Sequence, residues 1–371
     1  MSRRTGLVAG LVGAAATGVI AAGLTAEKLA VGRMRRQVES QPGLVYGRVE
    51  GTSRRVLTDD GLSLYAETDD PPADGARYPF TTVFAHGYAL SHDSWAFQRS
   101  ALRLRGPVVS YDQRSHGRSD RAPADACTIT ACGNDLARVI EQLVPTGKVV
   151  LVGHSMGGMS IMSLAQHHPA LFAERVAGVV LAATSAAGVG TIDFGLHGPV
   201  ARFADRLTPA LVAAAVRVPM LIERSRKADN DLSLLIARRY SFASTVPGDR
   251  VQFVAQMLAH TPIEVVADFY PTFGTHDGRA GLAAMHGTPV QVIGAVQDRI
   301  TPVDEARAIA AALPAAAYAE LDPSGHLLML EHPRRVTEAV LALAERAAER
   351  IRADDAALAT GASSTNGKSD T

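Results

Sequence analysis

The chain has 371 residues, of which 47% are hydrophobic and 20% are charged, so it can bury a large core without disulfides or metals. This composition excludes a disordered or fibrous protein as a description of the whole chain. The 37 Lys and Arg residues balance the 37 Asp and Glu residues, so no basic excess favours nucleic acid, and two cysteines are too few for a disulfide framework.

An uncharged stretch rich in Gly, Ala, Leu and Val occupies residues 6–25, and basic residues flank it on both sides. It is barely long enough to span a bilayer, and Gly and Ala transfer weakly into lipid. A retained anchor, a cleaved signal peptide and a soluble leader are therefore all open for residues 1–40. The basic residues after the stretch favour an anchor. We expect a membrane-associated or exported protein, with a soluble cytoplasmic one as the alternative.

Between residues 44 and 353, short β-branched runs alternate with longer helical patterns, which predicts a mostly parallel sheet covered by helices. The runs predicted as parallel strands are 81–85, 107–111, 148–152, 177–182, 289–293 and 317–321. An antiparallel start is expected within residues 45–67. The pattern predicts a doubly wound α/β fold whose core is formed by residues 41–185 and 289–353.

A long insertion separates the predicted strands 177–182 and 289–293, and it far exceeds a normal connection in an α/β domain. Its pattern is helical, with helices predicted at 207–224, 231–241, 250–260 and 262–270. We expect residues 186–288 to form a helical cap over one end of the sheet. The small and polar residues 354–371 are expected to be a disordered tail.

A G-x-S-x-G motif follows the predicted strand 148–152 directly and leads into a helical pattern. It places Ser155 on a sharp turn between strand and helix, with Gly153 and Gly157 where side chains would clash. The helix N-terminus behind Ser155 offers backbone N–H groups and the positive end of a dipole to a developing oxyanion. This context predicts that Ser155 is a nucleophile.

Two later loops carry the other groups that a nucleophilic serine needs. Asp298 follows the predicted strand 289–293, and His326 follows the last predicted strand. A serine hydroxyl needs an imidazole to take its proton, and the imidazole needs a carboxylate to hold its tautomer. We expect Ser155, Asp298 and His326 to form a catalytic triad. Asp322 is the rival acid, less suitable because it lies four residues from His326 in one loop.

Four motifs in this order resemble those of the α/β-hydrolase superfamily, in particular its branch of capped serine esterases, lipases and cofactor-free haloperoxidases. They are FAHGY at 84–88, YDQRSHGRS at 111–119, GHSMGG at 153–158, and Asp298 with SGH at 324–326. The resemblance covers residues 45–353. It implies an oxyanion hole formed by the backbone N–H groups of Tyr88 and Met156, with no metal and no organic cofactor.

Other residues in or near these motifs are expected to have structural roles. We expect His86 to orient its loop, and Asp112 and Arg114 to be paired rather than catalytic. His154 neighbours Ser155, but adjacent residues on such a turn face different ways, so a direct role is not expected. Trp95 is expected to pack beneath the site.

The combined pattern predicts a serine hydrolase that cleaves carboxylic esters through an acyl-enzyme on Ser155. The cap and the apolar N-terminus favour a small hydrophobic or lipid-derived ester, with membrane association through residues 6–25. The substrate-binding residues stay unknown. Perhydrolysis of the haloperoxidase kind, thioester hydrolysis, C–C bond hydrolysis and acyl transfer use the same triad and remain open. A non-catalytic protein that binds a small ligand in this fold is a further alternative, which an intact triad disfavours.

Overall fold

A computed structural model describes residues 49–71, 77–188 and 231–365 of the chain. Their strands are β1 (Thr52–Leu57), β2 (Ser63–Asp69), β3 (Phe80–Ala85), β4 (Val108–Tyr111), β5 (Lys148–His154), β6 (Val176–Ala182), β7 (Val290–Ala295) and β8 (Ala317–Leu321). The strands form one sheet in the order β1-β2-β4-β3-β5-β6-β7-β8. β2 pairs antiparallel with β1 and β4, and all other neighbours in the sheet are parallel. The prediction of a mostly parallel sheet with an antiparallel start is confirmed.

Helices pack on both faces of this sheet. In chain order, those of the described residues are α1 (Ala96–Leu102), α2 (Ile129–Leu143), α3 (Met156–His167), α4 (Pro169–Arg175), α5 (Asp231–Ser241), α6 (Gly248–His260), α7 (Ile263–Thr275), α8 (Arg279–Ala284), α9 (Val303–Ala312), α10 (Leu328–Glu331) and α11 (Pro333–Thr365). Side chains of α2, α3, α4 and α9 share one apolar cluster, and those of α1 and α11 share another.

Strand β5 shows why the sheet must be covered on both faces. Val149 and Leu151 belong to the cluster under α2 and α3, whereas Val150 and Val152 belong to the cluster under α1 and α11. All four side chains are fully buried. Successive side chains of a strand point to opposite faces, so a continuous apolar run requires helices on both sides. The predicted doubly wound fold is confirmed.

The carboxyl ends of the parallel strands lie at one edge of the sheet and bring distant loops together. The loop after β3 carries Tyr88, and β5 runs into α3 at Ser155. The loops after β7 and β8 carry Asp298 and His326. The topology therefore gathers all of the predicted site residues at this edge.

Helices α5, α6 and α7 come from the insertion between β6 and β7 that is predicted as a cap. The hydroxyl of Tyr88, after β3, donates to the carbonyl of Val266 in α7. The backbone N–H of Leu327, after β8, donates to the carbonyl of Ser241 at the end of α5 (3.0 Å). These helices therefore contact the edge where the parallel strands end. The predicted helix 207–224 lies outside the described residues.

Helix α8, also within the predicted cap of residues 186–288, packs against α3 of the core. Gly281 permits the close approach, because a Cβ there would lie 2.1 Å from the carbonyl oxygen of Met162. Leu282 and Met285 join the apolar cluster under α2 and α3. The end of the insertion therefore packs with the helices of the core.

The C-terminal helix α11 differs from the sequence expectation, because residues 354–365 are helical where a disordered tail is predicted. Leu343 and Ala347 of α11 are buried against the sheet, so the helix is already nucleated before it reaches solvent. Alanine, the strongest helix former, is frequent from residue 353 onward and lets the helix continue at little free-energy cost. Residues 366–371 lie outside the described residues.

Residues 1–48, which include the apolar stretch 6–25, also lie outside the described residues. Within residues 49–71, 77–188 and 231–365, no helix is long and apolar enough to cross a bilayer. Membrane association through residues 6–25 stays a prediction.

A network of buried charges supports the antiparallel end of the sheet. Arg99 of α1 donates to both carboxylate oxygens of Asp69 (2.7 and 3.1 Å) and to Glu67 (2.8 Å). Glu67 also lies 3.5 Å from Nε2 of His92, whose Nδ1 is 2.9 Å from Asp112. Burial acts to lower the pKa of His92, but its hydrogen bonds with the two carboxylates prevail and raise that pKa to about 10. His92 is therefore a buried cation at neutral pH.

The protonated state of His92 makes stability dependent on pH. The folded protein keeps a proton that the unfolded chain, with a histidine pKa of about 6.5, releases. We expect the free energy of unfolding to fall by up to about 1.4 kcal/mol per pH unit between about pH 7 and 8.5. Urea denaturation at several pH values measures this slope.

This dependence of the free energy of unfolding on pH should disappear in His92→Gln. The variant should also be less stable at pH 7, because the buried carboxylates lose the cation that they contact. The same substitution at the exposed His167 should keep the wild-type slope. Equal slopes in wild type and His92→Gln would show that His92 is not protonated in the folded state.

Candidate active site

Ser155 lies on a strained turn between β5 and α3. Its φ of 50° is in the left-handed region, which residues other than glycine rarely adopt. The turn is held by a hydrogen bond from the Ser155 N–H to Ala182 O (3.0 Å) and one from the Thr184 hydroxyl to Ser155 O (2.7 Å). Ser155 therefore keeps a sparsely populated backbone conformation because its neighbours fix both of its peptide groups.

Glycines make this turn sterically feasible. A Cβ on Gly157 would lie 2.2 Å from the carbonyl oxygen of Ala85, and one on Gly153 would lie 2.7 Å from backbone atoms of Gly157. The expected clashes at these positions are thus present. A Cβ on Gly87 would be 3.3 Å from the Cβ of Ser155, so the loop after β3 passes directly against Ser155.

Asp298 and His326 form a buried hydrogen-bonded pair. Nδ1 of His326 lies 2.8 Å from Oδ2 of Asp298, and the two residues are 6% and 7% exposed, respectively. The other Asp298 contacts come from the N–H groups of Ile300 (2.8 Å) and Thr301 (3.0 Å) and from the Thr301 hydroxyl (2.9 Å). A carboxylate only accepts hydrogen bonds, so Nδ1 of His326 is the donor in this pair, and a neutral imidazole that donates from Nδ1 has its lone pair on Nε2.

Asp322, the rival acid, is placed elsewhere. It is exposed, and its Oδ1 accepts a hydrogen bond from the side-chain amide of Gln297 (2.7 Å). Of the two acids considered from the sequence, Asp298 is the one that meets His326.

His154 connects the turn at Ser155 with His326. Its Nε2 lies 2.9 Å from the backbone oxygen of His326, and the two ring centroids are 4.7 Å apart. Burial and the neighbouring His326 hold the pKa of His154 well below its usual range, so this imidazole is neutral. It therefore donates Nε2–H to the His326 carbonyl, and its Nδ1 has no hydrogen-bond partner among the described residues. His154 thus fixes the backbone of His326.

His86 orients the loop after β3, as expected from the sequence. Its Nε2 accepts the backbone N–H of Gln113 (2.9 Å), and its Nδ1–H donates to Gly87 O (2.7 Å). Burial lowers the pKa of His86, which favours the neutral form that this pattern requires. The side chain of Gln113 also accepts the Ser160 hydroxyl of α3 (2.7 Å), so the loop and helix α3 are joined.

Aromatic side chains surround Tyr88 beside this loop. The Tyr88 ring lies 4.9 Å from the ring of Phe273 and 6.3 Å from that of Phe269, both from α7. His116 packs edge-on against Phe269 at 5.3 Å, and burial lowers its pKa to about 3. The aromatic rings that contact Tyr88 are therefore uncharged.

Asp112 and Arg114 are both held in buried charged contacts, but with other partners and not with each other. Asp112 bonds to His92 and accepts the backbone N–H of Arg118 (2.9 Å). Arg114 forms a two-pronged contact with Asp135 (2.7 Å for each bond). Trp95 is fully buried and donates to the carbonyl of Ala85 (3.1 Å), under the loop that carries Tyr88.

Sequence reasoning missed two residues that support the Asp298–His326 pair. Thr301 donates twice to Asp298, but a Thr-Pro pair after a loop aspartate also fits an ordinary turn. Glu331 binds the loop of His326 through Gly325, and a single glutamate at a helix end carries no local signal of that contact. Over the described parts of the chain, no three Asp, Glu, His or Cys side chains are grouped to hold a metal ion.

Known proteins resemble part of the sequence, and others share the fold. The chain is 37% identical over 112 residues to a protein named "Putative carbamate hydrolase RutD" of Caulobacter sp. strain K31, covering 30% of this chain and 40% of that protein. It is 36% identical over 104 residues to a non-heme chloroperoxidase of Streptomyces lividans, covering 28% and 35%. The chain thus matches less than half the length of these relatives.

A thermophilic esterase of Thermogutta terrifontis superposes with a TM-score of 0.61 at 23% identity, over 80% of this chain and 100% of the esterase. A family model described as alpha/beta hydrolase fold matches residues 83–333, which is more than half of the chain. The match includes the strands that bear the site and the loops that carry Tyr88, Asp298 and His326. The chain therefore belongs to the α/β-hydrolase fold family.

Proposed function

We propose that the protein is a serine hydrolase that cleaves carboxylic esters through an acyl-enzyme on Ser155. The observation that best supports this function is the buried hydrogen bond between His326 Nδ1 and Asp298 beside the strained turn of Ser155. An imidazole with its lone pair on Nε2 is the form that can take a proton from a serine hydroxyl.

In the proposed reaction, Ser155 Oγ attacks the ester carbonyl carbon while His326 Nε2 accepts the hydroxyl proton. Asp298 stabilises the resulting imidazolium through Nδ1–H. The proton then passes to the alcohol oxygen as the C–O bond breaks, which leaves the acyl group on Ser155. A water that gives its proton to His326 attacks the acyl carbon, the acid leaves, and Ser155 regains its proton.

The oxyanion hole in this proposal consists of the backbone N–H groups of Tyr88 and Met156. Met156 is the first residue of α3, where a helix has N–H groups without intrahelical acceptors and the positive end of its dipole. The close approach of Gly87, the residue before Tyr88, to Ser155 supports the Tyr88 N–H as the second donor. Two donors fixed by the fold would stabilise the tetrahedral oxyanion without reorganisation.

The substrate that fits this proposal has an apolar acyl or alcohol group. The support is the pair of half-buried rings of Tyr88 and Phe273 beside the proposed oxyanion hole, with the buried rings of Phe269 and His116 packed behind them. Apolar walls with a few placed hydrogen-bond donors are typical of sites for small hydrophobic molecules.

Perhydrolysis is a second candidate, because the chain resembles a chloroperoxidase. In that reaction hydrogen peroxide replaces water in the attack on the acyl-enzyme, and a peracid leaves. With acetate, peroxide and bromide, the peracid would oxidise bromide, which an organic halogen acceptor records. Peracid formation that depends on Ser155 and exceeds ester hydrolysis would make perhydrolysis the better description.

Ser155→Ala should remove labelling by an active-site probe and nearly all ester hydrolysis. A fluorophosphonate probe should add once to the wild-type chain and not to the variant, as read by intact mass, because only an activated serine reacts. Hydrolysis of p-nitrophenyl acetate should fall at least about 10³-fold. Ser163→Ala is the matched control, since Ser163 lies buried on the same helix and its hydroxyl has no hydrogen-bond partner among the described residues. Wild type that neither labels nor hydrolyses esters would overturn the proposal.

Asp298→Asn should lower kcat by about 10⁴-fold, because an amide can present N–H to His326 and stabilise the wrong tautomer. Asp322→Asn alters the rival acid and should leave kcat near the wild-type value. Steady-state kinetics with p-nitrophenyl acetate compares the two variants. The reverse order of effects would assign the acid to Asp322.

A further inference from the structure

The carboxylate of Glu331, at the end of α10, binds two segments of the chain at once. Its Oε2 accepts the backbone N–H of Gly325 (2.6 Å), and its Oε1 accepts those of Ala243 (3.0 Å) and Ser244. Gly325 precedes His326, whereas Ala243 and Ser244 follow α5 in the insertion. Glu331 is only 6% exposed, so three backbone donors meet one buried carboxylate.

The loop of His326 and residues 241–244 are also in direct contact. A Cβ on Gly325 would lie 2.9 Å from Ser241 O, from the Cα of Phe242 and from the backbone nitrogen of Ala243. The N–H of Leu327 donates to Ser241 O (3.0 Å). The backbone on both sides of His326 therefore rests on residues 241–244.

A carboxylate suits this position better than a neutral group. It only accepts hydrogen bonds, and bonds from N–H groups to a charged acceptor are stronger than neutral ones. An amide at residue 331 would have one oxygen for three donors and would turn an NH₂ group toward a backbone N–H. The N–H of Gly325, just before His326, is thus fixed by the carboxylate of Glu331, and the carbonyl of His326 is fixed by His154.

We propose that Glu331 is a positioning residue for His326, and that it holds the loop of this base in place only while residues 241–244 are docked. The Asp298–His326 pair is then assembled in the same step in which the inserted helix α5 docks. The kinetic consequence rests on the proposed serine-hydrolase function, whereas the structural consequence for His326 does not.

Glu331→Gln tests the proposal in the full-length chain. Displacement of a base by a fraction of an ångström slows chemistry, so kcat for p-nitrophenyl acetate and the rate of fluorophosphonate labelling should fall by about 10- to 100-fold. KM should change by less than about threefold, because the substrate contacts are left intact. Glu345→Gln is the matched control. Glu345 lies on α11 and accepts a hydrogen bond from the Tyr78 hydroxyl (2.9 Å). Its substitution should leave kcat unchanged.

A second variant removes a donor from the other partner. Ser244→Pro deletes the N–H that Ser244 gives to Glu331 and leaves Glu331, Gly325 and His326 in place. It should lower kcat in the same direction as Glu331→Gln. Loss of thermal stability in either variant without loss of kcat at 25 °C would reduce Glu331 to a structural contact and overturn the proposal.

NMR of the imidazole groups measures the position of His326 without any substrate. The Nδ1–H of His326, hydrogen-bonded to Asp298, should give a far-downfield resonance, which its loss in His326→Gln would identify. In Glu331→Gln or Ser244→Pro this resonance should shift or broaden, whereas Glu345→Gln should leave it unchanged. An unchanged resonance would overturn the proposal.

The two proposals fail in different ways. If the wild-type chain neither labels nor hydrolyses esters while the resonance responds to Glu331→Gln, the serine-hydrolase function fails and the positioning role survives. If wild type is active and Glu331→Gln matches it in kcat and in the resonance, only the positioning role fails.

Discussion

The rest of the site depends on the close approach of the β3 and α3 backbones, which have no side chain between them. The first turn of α3 lies so near the end of β3 that a Cβ on Gly157 would be 2.2 Å from Ala85 O. That contact sets the position of the β3 loop relative to Ser155. It also forces the chain to turn sharply at Ser155, at a strain of about 1–3 kcal/mol. Hydrogen bonds from Thr184 and to Ala182 hold the strained peptides in place.

The buried histidines near this edge of the sheet are of two kinds, which differ in the direction of their pKa shifts. His86, His116 and His154 have lowered pKa values and stay neutral, so they serve as hydrogen-bonding and packing groups. His92, by contrast, is surrounded by carboxylates, and its pKa is raised to about 10. Neither kind changes charge near neutral pH. In the proposed reaction, proton transfer by His326 would therefore meet no change of charge on these neighbours.

Much of this edge can be predicted from the sequence because its signals are local. Continuous apolar runs such as the one in β5 identify buried parallel strands, and the glycines around Ser155 identify a tight turn after such a strand. The separation of only four residues between Asp322 and His326 favours Asp298 as the acid, and the hydrogen bond between Asp298 and His326 agrees with that choice.

The features that could not be predicted depend on contacts between distant segments. Glu331 meets Ala243 across 88 positions of sequence, and neither residue has a neighbour that signals the other. The helical residues 354–365 were missed for a related reason. Their composition alone resembles a tail, whereas their helix is already nucleated by residues such as Leu343 that pack on the sheet.

The inserted helices contact the site in two chemically different ways. Helix α7 reaches Tyr88 through aromatic rings, which affects what an apolar substrate would meet. The end of α5 and the residues after it instead bind the backbone beside His326, directly and through Glu331. These contacts hold His326 without the involvement of a substrate. Under the proposed function, a change in α7 should therefore alter selectivity among substrates, and a change in residues 241–244 should alter the rate for every substrate equally. The two proposals together imply that the insertion acts on selectivity and on rate through separate sets of contacts.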